Sequence, residues 1–148
     1  MTATTAPATP STPSAFAPDA GPRSVPSLWR AGLGAGVAAA AATVAVAAVV
    51  HAAGVSLETE PGKAIPVIGF GQLTLFFTAI GVLLARAIGR RAHRPRTTFT
   101  RTTVVLTALS LVPDAILSAG AATKLTLVLT HLVAAAIVIP ALSSRLPD

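Results

Sequence analysis

Ala31–Val50 reads AGLGAGVAAAAATVAVAAVV, twenty residues without a charge. At about 1.5 Å per residue, a helix of this length crosses the roughly 30 Å hydrocarbon core of a bilayer. This run decides the fold class. Trp29 and Arg30 precede it, an amphipathic ring and a snorkelling cation of the kind found at membrane interfaces. The apolar run is longer than a usual signal core and has no short basic start ahead of it, so it reads as an uncleaved span.

The pattern repeats downstream. Ala64–Ala85, AIPVIGFGQLTLFFTAIGVLLA, is again uncharged, with Pro66 near its start, where a missing N–H costs little. Between the two runs lies GVSLETEPGK, which reads as a short polar loop. Arg86–Arg101, RAIGRRAHRPRTTFTR, is the most polar stretch, with six arginines and no acid. A third span follows near Thr98. Its uncharged run, Thr102–Pro113, is short, and Pro113 and Asp114 interrupt it, so a full crossing requires Arg101 to snorkel. The fourth run, Leu125–Leu142, contains one ionisable group, His131. The expectation is an all-α four-span bundle with spans at about 30–51, 64–86, 98–118 and 123–143 within a domain covering 28–146.

Residues 1–27 differ in kind. They hold six of the twelve prolines among Ala, Thr and Ser, too little apolar surface to offset ordering entropy, and read as a disordered tail. Pro7, Pro10 and Pro13 keep a spacing compatible with a polyproline II ligand, although a plain solvated tail accounts for the same composition.

Composition agrees with lipid as the main solvent. Hydrophobic residues make up 53% of the 148 and charged ones 11%, against about 25% charged in soluble domains; mean hydropathy is +0.74. With no cysteine, disulfides and thiolate metal sites are excluded. The net charge of +6 invites a nucleic-acid reading that the placement of the charges removes. With the tail, the Arg86–Arg101 segment and the C-terminus on one side, that side holds nine arginines and the other only Lys63 and Lys124. The positive-inside rule then makes both termini cytoplasmic. Arg86, Arg90, Arg91, Arg94, Arg96 and Arg101 are best read as topogenic residues that meet anionic lipid head groups, with no call for nucleic acid.

Counted at 100° per residue, the spans share one design. Thr103, Thr107, Ser110 and Asp114 fall on one face of the third span. Thr74, Thr78, Gly81 and Ala85 do so on the second, Gly32, Gly36, Ala40, Thr43 and Ala47 on the first, and Thr123, Thr126, Thr130 and Ala134 on the fourth. Small residues let helix backbones approach and hydroxyls bond across or back, so these stripes should face protein while Leu73, Phe77, Ile80 and Leu84 take other faces. The alternative is that the stripes line a narrow conduit. His131 and Asp114 are costly inside a membrane and so are candidate functional residues. The sharp reading is a proton-linked pair or substrate site; the plainer one is an imidazole bonded to a Thr or a carbonyl. Ser110 with His131 and Asp114 lacks any nucleophile turn and does not read as a triad. His51, His93 and His131 lie too far apart in the chain for a metal site, and no cofactor motif is present.

LWRAGLGAGV (28–37), IPVIGF (65–70), LTALSLVPD (106–114) and HLVAAAIVIPAL (131–142) resemble the family known as domain of unknown function 6069, small membrane proteins of high-GC bacteria. The likeness covers Leu28–Leu146. It implies four membrane helices in a bacterial cytoplasmic membrane, supplies no catalytic residue, and suggests that Trp29, Arg30, Pro66, Pro113, His131 and Pro140 belong to a shared pattern. Two functions are compatible with these readings. One is a non-enzymatic accessory or scaffold component, as a homo-oligomer or with a membrane-protein partner. The other is a small oligomeric transporter or channel using the Thr/Ser seam and His131. Four short helices leave little room for a pathway in a monomer, which favours the first.

Overall fold

The computed structural model describes residues 25–116 and 119–148. Four helices follow one another: α1 (Val25–Ala52), α2 (Val67–Arg91), α3 (Pro95–Ile116) and α4 (Ala121–Ser143). Each is long and apolar enough to cross a membrane. The third run, short in uncharged residues, thus forms a helix of sufficient length.

The expected disordered tail lies outside the described residues as far as Ser24, and its last part is corrected. Val25–Ser27 form the first turn of α1, where Pro26 needs no N–H partner. At the other helix ends the deviations are also local. Ala64 and Ile65 do not belong to α2, because Pro66 is an extended N-cap (φ −64°, ψ 143°). The helix then runs through Arg90 and Arg91, since arginine is a good helix former and the end is free to extend into water. Pro95 opens α3 at the position that tolerates it best. Leu117 and Ser118, expected at the end of the third span, lie outside the described residues.

The segment between α1 and α2 is not a plain loop. Strand β1 (Glu58–Glu60) pairs antiparallel with β2 (Lys63–Ala64). Pro61-Gly62 makes the turn, with Gly62 at φ 76°, a conformation that glycine alone adopts at little cost. Leu57 precedes the hairpin at φ 57° and is held there by complete burial among Ala47, Phe70 and Leu127.

Helix α1 packs along both α2 and α4, while α3 lies against α4 and touches α2 more lightly. Its stripe, Gly32, Gly36, Ala40, Thr43 and Ala47, is entirely buried. A Cβ at Gly32 would strike Val82, and one at Gly71 would come to 2.8 Å from Val44. Leu33, Val37 and Val49 point outward. The small-residue stripe thus faces protein and the bulky residues face lipid.

Two apolar clusters mark the ends of the bundle. Leu28, Val82, Ala85, Phe99, Leu142 and Leu146 form one. It gathers the start of α1, the end of α2, the start of α3 and the end of α4, and every described arginine lies at this end. Ala47, Leu57, Phe70 and Leu127 form the other, on the side that carries Lys63 and Lys124. At the arginine end the Arg96 amide donates to the Pro147 carbonyl (3.1 Å), which sets α3 in register with the chain's end.

Candidate functional site: an intramembrane cleft

Because α3 meets α2 only lightly, a gap opens between α2, α3 and α4. It is a cavity of about 590 Å³, lined chiefly by apolar side chains such as Leu73, Phe77, Leu106 and Ala135, with Thr74, Thr78, Thr103, Thr107, Ser110, Thr130, His131 and Asp114 as its polar points and Thr59 of the hairpin at its loop end. That volume falls within the range of small-molecule pockets.

The hydroxyls do not open into a polar track. Thr74 donates to the Phe70 carbonyl and Thr78 to that of Thr74, both at 2.7 Å. Thr103, Thr107 and Ser110 donate to Phe99 (2.8 Å), Thr103 (2.8 Å) and Thr107 (2.7 Å). Thr126 and Thr130 likewise bond back within α4, to Ala122 and Leu127. Hydroxyls in apolar helices satisfy themselves this way when no partner helix offers an acceptor. Thr43 and Thr74, 3.0 Å apart, make a bond between α1 and α2.

Asp114 and His131 come together. His131 Nδ1 lies 3.1 Å from Asp114 Oδ2 and 2.9 Å from the Leu127 carbonyl oxygen. A carbonyl can only accept, so Nδ1 carries a hydrogen, and that hydrogen goes to Leu127. Asp114 Oδ2 is left buried with no hydrogen-bond donor, although Asp114 is only 7% exposed. The 3.1 Å approach of Nδ1 to Oδ2 lacks hydrogen-bond geometry and is an ion pair only when the imidazole is protonated. The Ser110 hydroxyl donates its hydrogen to the Thr107 carbonyl.

The depth of the pair departs from what sequence position suggests. Asp114 stands two residues from the end of α3, which counts as near the surface. Yet it meets His131, ten residues into α4, about 15 Å along that helix. Helix α3 ends below the start of α4, and Lys124 bridges the step by donating to the Ala115 carbonyl (2.9 Å). The carboxylate is consequently deep in the bundle.

The arginines expected to meet lipid are at the opposite end. Arg90, Arg91, Arg94, Arg96 and Arg101 are exposed and Arg86 is half-buried. Arg96 pairs with Asp148 at 3.3 Å; the other five have no acidic partner among the described residues. Arg30 and Arg145 line a common crevice nearby, a convergence that their separation in sequence concealed. Thr103, Thr130 and Ala135 also line the cleft without having stood out as candidates, because nothing in their periodicity distinguishes a wall from a packed seam.

A family model described as a family of unknown function, domain of unknown function 6069, matches residues 23–148. The chain belongs to this family. The match takes in all four helices and both members of the Asp114–His131 pair. No curated protein and no solved structure matches the chain. The four apolar helices make the chain a multi-pass membrane protein, and the family description is silent on activity.

Proposed function

We propose that this member of the family is a non-enzymatic accessory protein of a bacterial cytoplasmic membrane that holds an amphiphilic molecule, taken from the bilayer, in the cleft between α2, α3 and α4. The carrying observation is a largely apolar cavity with a single unsatisfied polar atom, Asp114 Oδ2, in its wall. A buried polar group without a partner is disfavoured by about 1–3 kcal/mol, and its retention inside a membrane points to a role in binding. The non-enzymatic reading draws support from the commitment of Ser110 and His131 Nδ1 to carbonyls of their own helices. In this reading the arginine end faces the cytoplasm and rests on anionic head groups, with no nucleic-acid partner.

The small-residue stripes are consumed inside the protomer, so a homo-oligomer or a partner protein would dock elsewhere, on bulky faces such as Val105, Leu109 and Val112. A second reading, a small oligomeric transporter, draws on one observation: the α3 hydroxyl seam and His131 line the same cleft.

Photo-crosslinking with a diazirine-bearing dodecanol tests the cleft. The expected result is saturable labelling of α2, α3 and α4 lining residues, competed by unlabelled dodecanol and lost in Ala135→Phe. Unsaturable labelling spread over outward residues such as Leu33 and Ile116 would remove the binding reading. Directional uptake into vesicles carrying the purified protein would replace the accessory role by transport.

A further inference from the structure

We infer that the occupant of the cleft is a lipophilic amine, its ammonium seated on Asp114 and its apolar body against α2 and α4. This rests on the cleft being a binding site and adds the chemistry of the ligand's head.

The argument begins with charge. Among the residues lining the cavity, Asp114 is the only acid and there is no lysine or arginine; the one basic group is the His131 imidazole, whose Nδ1 lies 3.1 Å from Asp114 Oδ2 and opposes its charge only when protonated. Lys124, at the end of the step, already donates to Ala115. His131 cannot supply the missing donor through Nδ1, whose hydrogen goes to Leu127. The cavity therefore presents one carboxylate oxygen that lacks a donor, in walls of low dielectric. Taking an ion out of water is repaid only when an opposite charge arrives with good geometry and hydrogen bonds. A ligand ammonium brings both, and charge-assisted bonds of this kind are roughly twice as strong as neutral ones. A hydroxyl would supply the hydrogen bond but leave the charge. A carboxylate would bring a second negative charge to the same place.

Depth narrows the class further. Asp114 meets α4 about 15 Å from that helix's start, in a cavity whose other end reaches Thr59 of the hairpin, so an amine bound there draws what it carries into the cleft. A phospholipid amine would drag its phosphate with it, and no cationic side chain lines the cleft to receive a phosphate. The fitting ligand is an amine attached directly to an apolar chain or ring system.

The test uses the full chain in an uncharged maltoside detergent, with four probes of one chain length: dodecylamine, dodecanol, dodecanoate and a lysophosphatidylethanolamine with a twelve-carbon chain. Thermal unfolding against probe concentration gives apparent affinities, since a ligand that binds only the folded state raises its midpoint. Ala135→Phe, which fills the cleft, reports what each probe does to the micelle alone. Dodecylamine should bind the wild type at least tenfold more tightly than dodecanol, and the other two probes should match Ala135→Phe. Asp114→Asn should abolish the preference for the amine, so that dodecylamine binds no more tightly than dodecanol. Equal affinity for dodecylamine and dodecanol in the wild type, or an amine preference that survives in Asp114→Asn, overturns the amine and leaves the cleft standing. If no probe separates the wild type from Ala135→Phe, the cleft itself is not a binding site. The wild-type comparison among heads needs no variant to fold.

Discussion

Helices α1 and α3 carry the same spacing of small and hydroxyl residues, yet they are used in opposite ways. On α1 the stripe is pressed into α2 so closely that Gly32 and Gly71 have no space for a methyl group. On α3 the stripe of Thr103, Thr107, Ser110 and Asp114 lines a cavity and satisfies its hydroxyls on its own backbone. The difference lies in what stands opposite. Glycine presents no side chain and alanine only a methyl, so another backbone can close on them; threonine and serine keep a partner at a distance unless it is smaller still. A hydroxyl stripe is thus ambiguous between seam and wall, and a glycine stripe is much less so.

The sharpest way to break this contrast is to add volume to the closed seam. Gly32→Leu places a branched side chain where Val82, itself buried and stiff at χ1, already stands. The expected loss is about 3 kcal/mol, at the upper end for overpacking, read as unfolding in SDS–detergent mixtures. Gly34, two residues away, has nothing within 4 Å of an added Cβ. Gly34→Ala should be neutral or gain up to about 1 kcal/mol through helix propensity. Equal losses at both positions would show that the α1–α2 approach is looser than described.

The open wall makes a prediction of opposite sign. Asp114 Oδ2 has no donor, so Asp114→Asn removes a buried charge at nearly constant volume and should stabilise the empty bundle by roughly 1–2 kcal/mol. A loss of about 3 kcal/mol instead would mean that His131 is charged and that the two form an ion pair needed for folding. That outcome would move the pair's role from binding to structure.

Much of this arrangement was legible in the sequence. Runs such as Ala31–Val50 declare their spans by length alone, and the arginine asymmetry places the chain ends together. The inward stripe of α1 followed from a period of 3.6, whereas Leu73, Phe77, Ile80 and Leu84 of α2, expected on the outer faces, line the cleft. Three features were not legible. The hairpin was hidden because Glu58–Ala64 is too short and polar to alternate, although Pro61-Gly62 was a turn signal. The sequence offered Asp114 and His131 as a pair but not their contact, because the stagger that brings the end of α3 against the eleventh residue of α4 is set by packing. The cleft depends on α3 standing off from α2, a spacing set by side-chain volumes on two helices at once.

Smaller effects sharpen the contrast. The Thr43 and Thr74 hydroxyls are 3.0 Å apart across the closed seam, and each is also within reach of a carbonyl of its own helix, Ala40 and Phe70, so one hydroxyl gives up its local bond to donate across the seam. Thr43→Val keeps the shape and removes the cross-helix bond. Interhelical hydrogen bonds in membranes average about 0.6 kcal/mol, and a shift of that size in the unfolding midpoint is expected. A cost above about 2 kcal/mol would show that this bond, and not the close backbone approach, holds α1 to α2, beyond the range measured for such bonds.

The smallest change is expected where the sequence pointed most strongly. His131 donates to a carbonyl of its own helix, one turn back, so the bond ties nothing across the bundle. Its ring is partly open to the cleft, with 36% of the side chain exposed. His131→Leu therefore deletes one local bond and fills similar space, and stability should move by less than about 0.5 kcal/mol, as for a substitution outside the packed core. A large loss would place the imidazole in the fold after all and leave Asp114 alone as the feature that marks the cleft. With stability unchanged, a residue that is costly inside a membrane and adds nothing to folding is kept for what the cleft holds.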